Sequence, residues 1–253
     1  MTTDLYRRYR RALQAEPTTG RIMPYNWSPL TGGLSPALFL YSEMLEDFAR
    51  EIANSINDLT QRELRLRAWH AVLKDETPKR IMDAHHAIVG DVGTVALGLP
   101  YVIRSRFIFA VTHLSNQANP ARDTSWRDEL PEDDKIWFET ADAVAGGWRR
   151  YGRFKEKAQR IGGQDYTVAT GNFRNLYQHR FSPRIGLGIT QMVTRTQAAD
   201  GGVSYGWGGR PPLELDAVAR LLVVQRDRSY AAFDAFQGLV REQSKVITAA
   251  WSS

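Results

Sequence analysis

Apolar residues recur along much of this chain at alternating steps of three and four, the spacing that places them on one face of an α-helix. The clearest stripe predicts a helix from residue 36 onward, with Ser35 as its N-cap and Pro36 at its first position. Its apolar face comprises Leu38, Tyr41, Leu45, Phe48 and Ile52. A second stripe predicts another helix through Trp137, Ala141, Val144, Trp148 and Tyr151. The pattern therefore predicts a mainly helical protein.

Weaker versions of the same period predict the remaining helices. We expect one over residues 61–73 and one or two more between residues 77 and 116, with Pro100 marking a new start because proline interrupts a helix. Residues 213–248 predict one long helix, or two helices broken near Gly238. The apolar face of this segment comprises Phe233, Phe236, Val240 and Ile247.

Two segments depart from the helical period. Residues 115–131 contain Asn, Pro, Asp and Ser without periodicity, which predicts a loop. Residues 185–212 predict either two short strands around the turn Asp200-Gly201-Gly202, at 189–195 and 203–207, or an irregular insertion. We therefore expect an all-α fold with this one exception. Residues 1–34 are predicted to form an arm or docking helix, and residues 35–253 a single helical domain.

The composition is that of an ordinary folded protein and favours a cytosolic location. Hydrophobic residues make up 43% of the 253 residues and charged residues 24%, close to the globular average. The chain has no cysteine, so disulfides and thiolate chemistry are excluded. The longest apolar stretch, residues 92–103, contains Gly98 and Pro100 and is too short to span a bilayer. The first residues lack the apolar stretch of a secretory signal.

The charge balance favours polyanionic partners. The net charge is +5 and the pI is about 9.5. A basic stretch over residues 148–160 contains Arg149, Arg150 and Arg153 among aromatic residues, a mixture that can hold phosphates and stack bases. The alternative is that Trp148 and Tyr151 belong to the core and the cations coat a solvated helix.

The segment over residues 173–181 is the most informative in the chain. On a helical wheel Phe173, Leu176, Tyr177 and Phe181 share one half, whereas Arg174, Asn175, Gln178 and His179 share the other. Pro183 ends this helix. Arg174 lies in the first turn, where free backbone N–H groups already favour anions, so its guanidinium would extend a phosphate-binding site.

The pair Arg174 and His179, with the polar Asn175 next to the arginine, resembles the R-x4-6-H motif of the HEPN superfamily. The resemblance implies a helical bundle in which this motif opens a late helix, and a homodimer that places two Arg/His sets in one cleft. In nucleolytic members it implies metal-independent RNA cleavage, by attack of the 2′-OH on the adjacent phosphate. Many such members are toxins or antiviral effectors, which implies a possible antitoxin partner.

The chemistry of the residues agrees with that implication. Histidine can take and give a proton near neutral pH, so His179 is the candidate acid/base. Arg174 can pair with the phosphate charge, and Asn175 and Gln178 can orient the pair. Gln178 and Arg180 are candidate RNA contacts together with Arg149, Arg150 and Arg153.

Two alternatives stay open at this stage. In one, the same helix is a non-catalytic dimerisation surface or a nucleotide- or RNA-binding surface of an interaction module. In the other, Arg174 and His179 are solvated residues of an amphipathic helix. We expect no cofactor, no metal and no membrane partner: His85 and His86 are adjacent, so they point about 100° apart on a helix, and Asp83 does not complete a ligand set.

Overall fold

The computed structural model of the protein describes residues 2–30 and 36–251, without the side chains of residues 36–38 and 251. Its helices are α1 (Thr3–Ala15), α2 (Pro36–Leu73), α3 (Pro78–Ala84), α4 (Gly90–Ala118), α5 (Phe138–Ala145), α6 (Tyr151–Arg160), α7 (Gln164–Ala169), α8 (Phe173–His179) and α9 (Leu215–Trp251). A π-helix covers His85–Val89, and 3₁₀ turns cover Asn119–Ala121 and Asp133–Lys135. Strands β1 (Val193–Gln197) and β2 (Val203–Trp207) form an antiparallel hairpin. The predicted mainly helical class is confirmed.

The first predicted stripe begins a longer helix than expected. Helix α2 starts at Pro36 as predicted, but it continues through Leu73 and includes the segment 61–73 that we expected as a separate helix. The polar residues between the two stripes are satisfied within the fold, because Asn57 accepts a hydrogen bond from the backbone N–H of Met23 at 2.7 Å. The predicted N-cap, Ser35, lies outside the described residues.

Two expected helix boundaries are wrong. Pro100 does not start a new helix but lies inside α4, where it is buried. Its missing hydrogen bond is outweighed by the packing of its neighbours, since Leu97 and Ile103 are also buried. Conversely, the stripe from Trp137 to Tyr151 is split into α5 and α6, because the consecutive glycines Gly146 and Gly147 end the first helix.

The other expectations on secondary structure can be compared directly. Helix α4 extends to Ala118, so the loop predicted from residue 115 begins later. The hairpin is confirmed, with Val193 paired to Trp207 and Gln197 to Val203, and the second strand has the predicted bounds. The first strand, however, covers Val193–Gln197 and not residues 189–195. Helix α9 is continuous past Gly238, and its four predicted apolar positions are all buried.

The described chain forms two compact units, each made of three chain segments. The first unit comprises residues 1–19, 60–98 and 163–224, which include α1, α3, α7, α8 and the hairpin. Helix α1 docks in it through Leu5 and Tyr9, both buried, and the Tyr9 ring stacks on Trp69 at 4.2 Å. The Tyr166 hydroxyl donates to the Leu97 carbonyl at 3.0 Å, which anchors α7.

The second unit comprises residues 20–59, 99–162 and 225–253. Its core is an aromatic cluster in which the ring of Phe236 lies 5.8 Å from Phe107 and 5.7 Å from Trp27. A buried polar chain runs beside it: the Tyr41 hydroxyl donates to Gln243, and the Gln243 amide donates to Ser115, both at 2.8 Å. These bonds satisfy groups that would otherwise destabilise the interior.

One helix within the described part of the chain is long and apolar enough to cross a membrane. It is the continuous helical run Pro78–Ala121, which is longer than the sequence suggested because Pro100 does not interrupt it. Half of its most apolar window is buried inside the protein. The expectation that no helix is long enough is therefore corrected, although the burial agrees with a core role.

Candidate functional site

Helix α8 is set between two abrupt changes of chain direction. Gly171 and Asn172 both adopt positive φ, at 59°, a conformation that glycine and asparagine tolerate better than other residues. The Asn172 N–H donates to the Thr167 carbonyl at 2.7 Å, which fixes the turn out of α7. At the other end Arg180 leaves helical geometry, and the chain continues to Ser182 and Pro183. The seven residues of α8 are thus held at both ends.

The predicted polar face of α8 is exposed. Phe173 and Leu176 are buried and anchor the helix to the first unit. The side chains on the other half are all exposed, as is Arg180: Arg174, Asn175, Gln178 and His179. Tyr177 and Phe181 share the apolar half of the wheel with these two anchors, but they are 59% and 75% exposed. A short helix at the surface buries only the narrow stripe that touches its neighbours.

The spacing along α8 creates two neighbouring pairs. Arg174 and Gln178 are four residues apart, as are Asn175 and His179, and residues at this spacing are adjacent on a helix surface. Arg174 and His179 are five apart, which separates them by about 140° around the helix axis. Gln178 is therefore adjacent to Arg174 and Asn175 to His179, whereas Arg174 and His179 point in different directions from the same helix.

The basic stretch lies in the second unit, whereas the motif helix lies in the first. Arg149, Arg150 and Arg153 are exposed. Trp148 and Tyr151 are buried, and the Trp148 indole N–H donates to Asn119 at 2.9 Å. These two rings belong to the core, so the interpretation that they stack bases is wrong. Contact of the three arginines with phosphates stays a prediction.

A cavity of about 250 Å³ lies beside α8 within the first unit. Tyr177 and Phe173 line it from α8, Arg184 from the segment that follows, His85 and His86 from the π-helix, and Asp91 from the start of α4. In the sequence the two histidines stand out only as candidate metal ligands, far from α8.

The environment of His85 is unusual within this cavity. Burial, and then the nearby charges of His86 and Arg184, lower the pKa of His85 below its ordinary value, while the backbone of Ile185 and the Asp91 carboxylate oppose the shift. Its buried Nε2 has no partner of hydrogen-bond geometry among the described residues. Gly90 makes room for the ring, because a Cβ there would lie 3.1 Å from His85 Cε1.

The hydrophobic periodicity of the sequence does not predict this π-helix or the cavity it lines, because a π-helix of five residues leaves the apolar stripes on either side intact. The adjacent histidines were the only visible sign. Their rings are perpendicular, with centroids 5.8 Å apart. Within residues 2–30 and 36–251, no group of three or more His, Cys, Asp or Glu side chains has the geometry to hold a metal ion.

Comparison of the chain with protein-family models, with curated proteins and with solved structures finds no match. A functional assignment therefore depends on the chemistry and placement of the residues described above. Two features of the first unit carry it: the exposed polar face of α8 and the cavity beside that helix.

Proposed function

We propose that the protein is a metal-independent endoribonuclease of the HEPN type that cleaves RNA by attack of a 2′-OH on the adjacent phosphate. The observation that carries the proposal is the polar face of α8, where Arg174, Asn175, Gln178 and His179 are exposed together while Phe173 and Leu176 anchor the helix. A rigid helix with exposed acid/base and cationic groups can present them to a long polymer. The cytoplasm, where RNA is abundant, is the proposed location.

In the proposed reaction the 2′ oxygen bonds to phosphorus while its proton passes to His179. The bond from phosphorus to the 5′ oxygen breaks, and that oxygen takes up a proton as it leaves. Arg174 stabilises the added charge on the phosphate in the transition state. The products are a 2′,3′-cyclic phosphate and a 5′-hydroxyl, and no water or redox partner is consumed in this step.

The proposed enzyme is a homodimer paired through α8. Within one chain, Arg174 and His179 lie on different sides of the helix axis. A two-fold pairing would bring two Arg/His sets into one cleft. One histidine could then accept a proton while the other donates one. The exposed ring of Phe181 beside the motif supports this pairing, since large exposed apolar side chains commonly mark interaction surfaces.

The proposal is tested by RNA cleavage with pure protein in excess chelator. We expect cleavage to survive chelation, to leave 2′,3′-cyclic phosphate ends, and to be absent on a substrate that carries a 2′-deoxyribose at the cleaved position. Sedimentation of the same preparation is expected to show a dimer at micromolar concentration. Cleavage that requires a divalent metal, or that proceeds without the 2′-OH, would contradict the mechanism. An inactive protein that still dimerises through α8 would favour the non-catalytic interaction module.

We further propose that Arg149, Arg150 and Arg153 contact phosphates of the bound RNA. Each phosphate contact contributes about 0.7 to the logarithmic salt slope for single strands, so replacing all three arginines by glutamine is expected to flatten that slope by up to about two units. Saturating single-turnover cleavage should stay near wild type because these side chains bind rather than transfer protons. Binding titrations over a range of salt concentrations measure the slope. An unchanged slope in the triple variant would mean that these arginines do not contact RNA and only form a solvated helix face.

If the protein is a toxin or an antiviral effector, its activity must be inhibited in the cell that produces it. We propose that a cognate antitoxin protein is the inhibitor. The gene neighbourhood tests this part of the proposal. An adjacent nucleotidyltransferase or defence gene would support it, whereas neighbours from unrelated metabolism would count against it.

A further inference from the structure

The cavity beside α8 gathers complementary chemical groups from segments that are far apart in sequence. His85 and His86 come from the π-helix, Arg184 from the segment after α8, and Tyr177 from α8. Three of these four side chains are cationic or can become so. A cavity that collects such groups attracts an anion more strongly than dispersed surface cations do.

His85 carries a buried polar atom that the protein leaves unsatisfied. Its Nε2 finds no hydrogen-bond partner among the described residues, although nearly all buried polar atoms in native structures have one. A Cβ at position 90 would lie 3.1 Å from His85 Cε1, so glycine lets the ring lie there without crowding. The π-helix that positions His85 and His86 is itself a rare element that recurs at functional sites. A bound ligand group would supply the missing partner.

Part of the cavity lining is aromatic. The rings of Phe173 and Tyr177 are nearly parallel, at an angle of 10° with centroids 5.7 Å apart. Phe173 is buried and holds this stack in place, while Tyr177 is 59% exposed. An exposed aromatic ring on a fixed support is a suitable platform for a planar base, which stacks with little dependence on its identity.

We propose that this cavity binds a phosphate-bearing nucleotide, with the phosphate at Arg184, His85 and His86 and the base against Tyr177. The cavity, at about 250 Å³, has room for one such unit or part of it. Binding here is a separate property from cleavage at Arg174 and His179, and it stands whether or not α8 is catalytic. The same chemistry can be presented by a free mononucleotide or by one nucleotide of an RNA chain.

Asp91 contributes a negative charge to the cavity and so reduces its net positive charge. Its carboxylate lines the same cavity and offsets Arg184 when both histidines are neutral. A phosphate therefore binds best when His85 takes up a proton, while Asp91 can accept a hydrogen bond from the ribose or the base. The titratable and charged groups that face the site are His85, His86, Asp91, Tyr177 and Arg184. We expect affinity for an RNA chain, whose phosphodiesters do not titrate near neutral pH, to rise as the pH falls below about 6.5, because burial holds the pKa of His85 below its ordinary value.

The test uses the chain's five histidines as reporters. Histidine ring resonances of the full-length protein are followed by NMR during titration with inorganic phosphate, with AMP, with adenosine, and with a short RNA made uncleavable by 2′-O-methyl groups. We expect saturable shifts of the His85 and His86 resonances with AMP, RNA or both, while His70 and His113 stay unchanged. Adenosine should bind about tenfold or more weakly than AMP if AMP binds, because it lacks the charged group.

Single variants distinguish nucleotide binding in this cavity from cleavage at the Arg174/His179 motif and from non-specific binding caused by net charge. Arg184→Gln is expected to weaken binding by about tenfold or more, whereas the matched Arg195→Gln variant, in exposed strand β1 of the same unit, should bind like wild type. His85→Gln provides a second lesion if Arg184→Gln does not fold. His179→Ala should keep nucleotide binding even where it abolishes cleavage, so failure of one proposal is visible apart from failure of the other.

The outcomes divide clearly. Shifts with AMP identify a mononucleotide site, and shifts with RNA alone identify a subsite for the polymer. Shifts with inorganic phosphate but with no nucleotide would overturn the proposal, and so would the absence of saturable shifts with every probe. Equal weakening by Arg184→Gln and Arg195→Gln would also overturn it, because binding would then follow net charge rather than this cavity.

Discussion

Replacing His179 with alanine is expected to lower the rate of RNA cleavage by about 10²- to 10⁴-fold, the range that acid–base catalysis supplies. Arg174→Ala is expected to cost about 10²- to 10³-fold, because in the proposed mechanism it removes the donor that stabilises the charge developing on the phosphate. Both side chains are exposed, so neither change should alter the fold. Single-turnover cleavage at saturating protein measures both effects apart from RNA affinity.

Matched replacements control for the loss of a ring or a charge. His70→Ala removes a half-buried histidine of α2, and Arg195→Ala removes an exposed arginine of β1, both within the first unit. Cleavage by these two variants should stay near wild type. Full activity of His179→Ala would refute the assigned acid/base role, and loss of activity in the two controls would mean that the assay reports folding or net charge.

Replacing Phe236 with alanine is expected to lower the free energy of unfolding by about 3–5 kcal/mol, the usual cost of deleting a buried phenylalanine ring. The ring is fully buried in the second unit and meets Phe107, Phe154 and Trp27 at centroid distances of 5.8, 6.4 and 5.7 Å. The variant loses both the apolar contacts and the favourable edge-on ring geometry, and it leaves a cavity. Urea unfolding followed by circular dichroism measures the change.

Phe181→Ala is the matched control, since it deletes the same ring at a position that is 75% exposed. It should change the free energy of unfolding of the monomer by less than about 0.5 kcal/mol. Similar losses in the two variants would contradict the assignment of Phe236 to the core. If α8 pairs two chains as proposed, Phe181→Ala should instead shift the sedimentation equilibrium toward monomer.

Local spacing along the sequence was sufficient to predict most of the helices, the hairpin and the polar face of α8. Residues three and four apart share a helix face whatever surrounds them, so Phe233 and Phe236 in α9 were predicted correctly as buried. The exposure of Arg174 and His179 follows from the same geometry, because Phe173 and Leu176 on the other face are the apolar anchors of α8.

The departures arose where packing and local backbone preference pointed to different structures. Pro100 lies within α4 because buried neighbours hold the helix together across the missing hydrogen bond, whereas Gly146 and Gly147 end α5 despite an unbroken apolar stripe. Tyr177 and Phe181 matched the apolar half of the wheel and are nevertheless exposed. A helical wheel shows which residues share a face, but how wide a stripe is covered depends on the neighbouring elements.

The chain's amino-acid pattern thus specified helices, strands and a candidate catalytic face, all of which depend on residues close together in sequence. The cavity beside α8 has a different origin. His85, Tyr177 and Arg184 have no sequence relation to one another, and they line one cavity because a π-helix, a short surface helix and the segment after it meet in the first unit. These segments come together through contacts between residues that are distant in sequence. The free energy of such contacts cannot be predicted from the spacing of neighbouring residues.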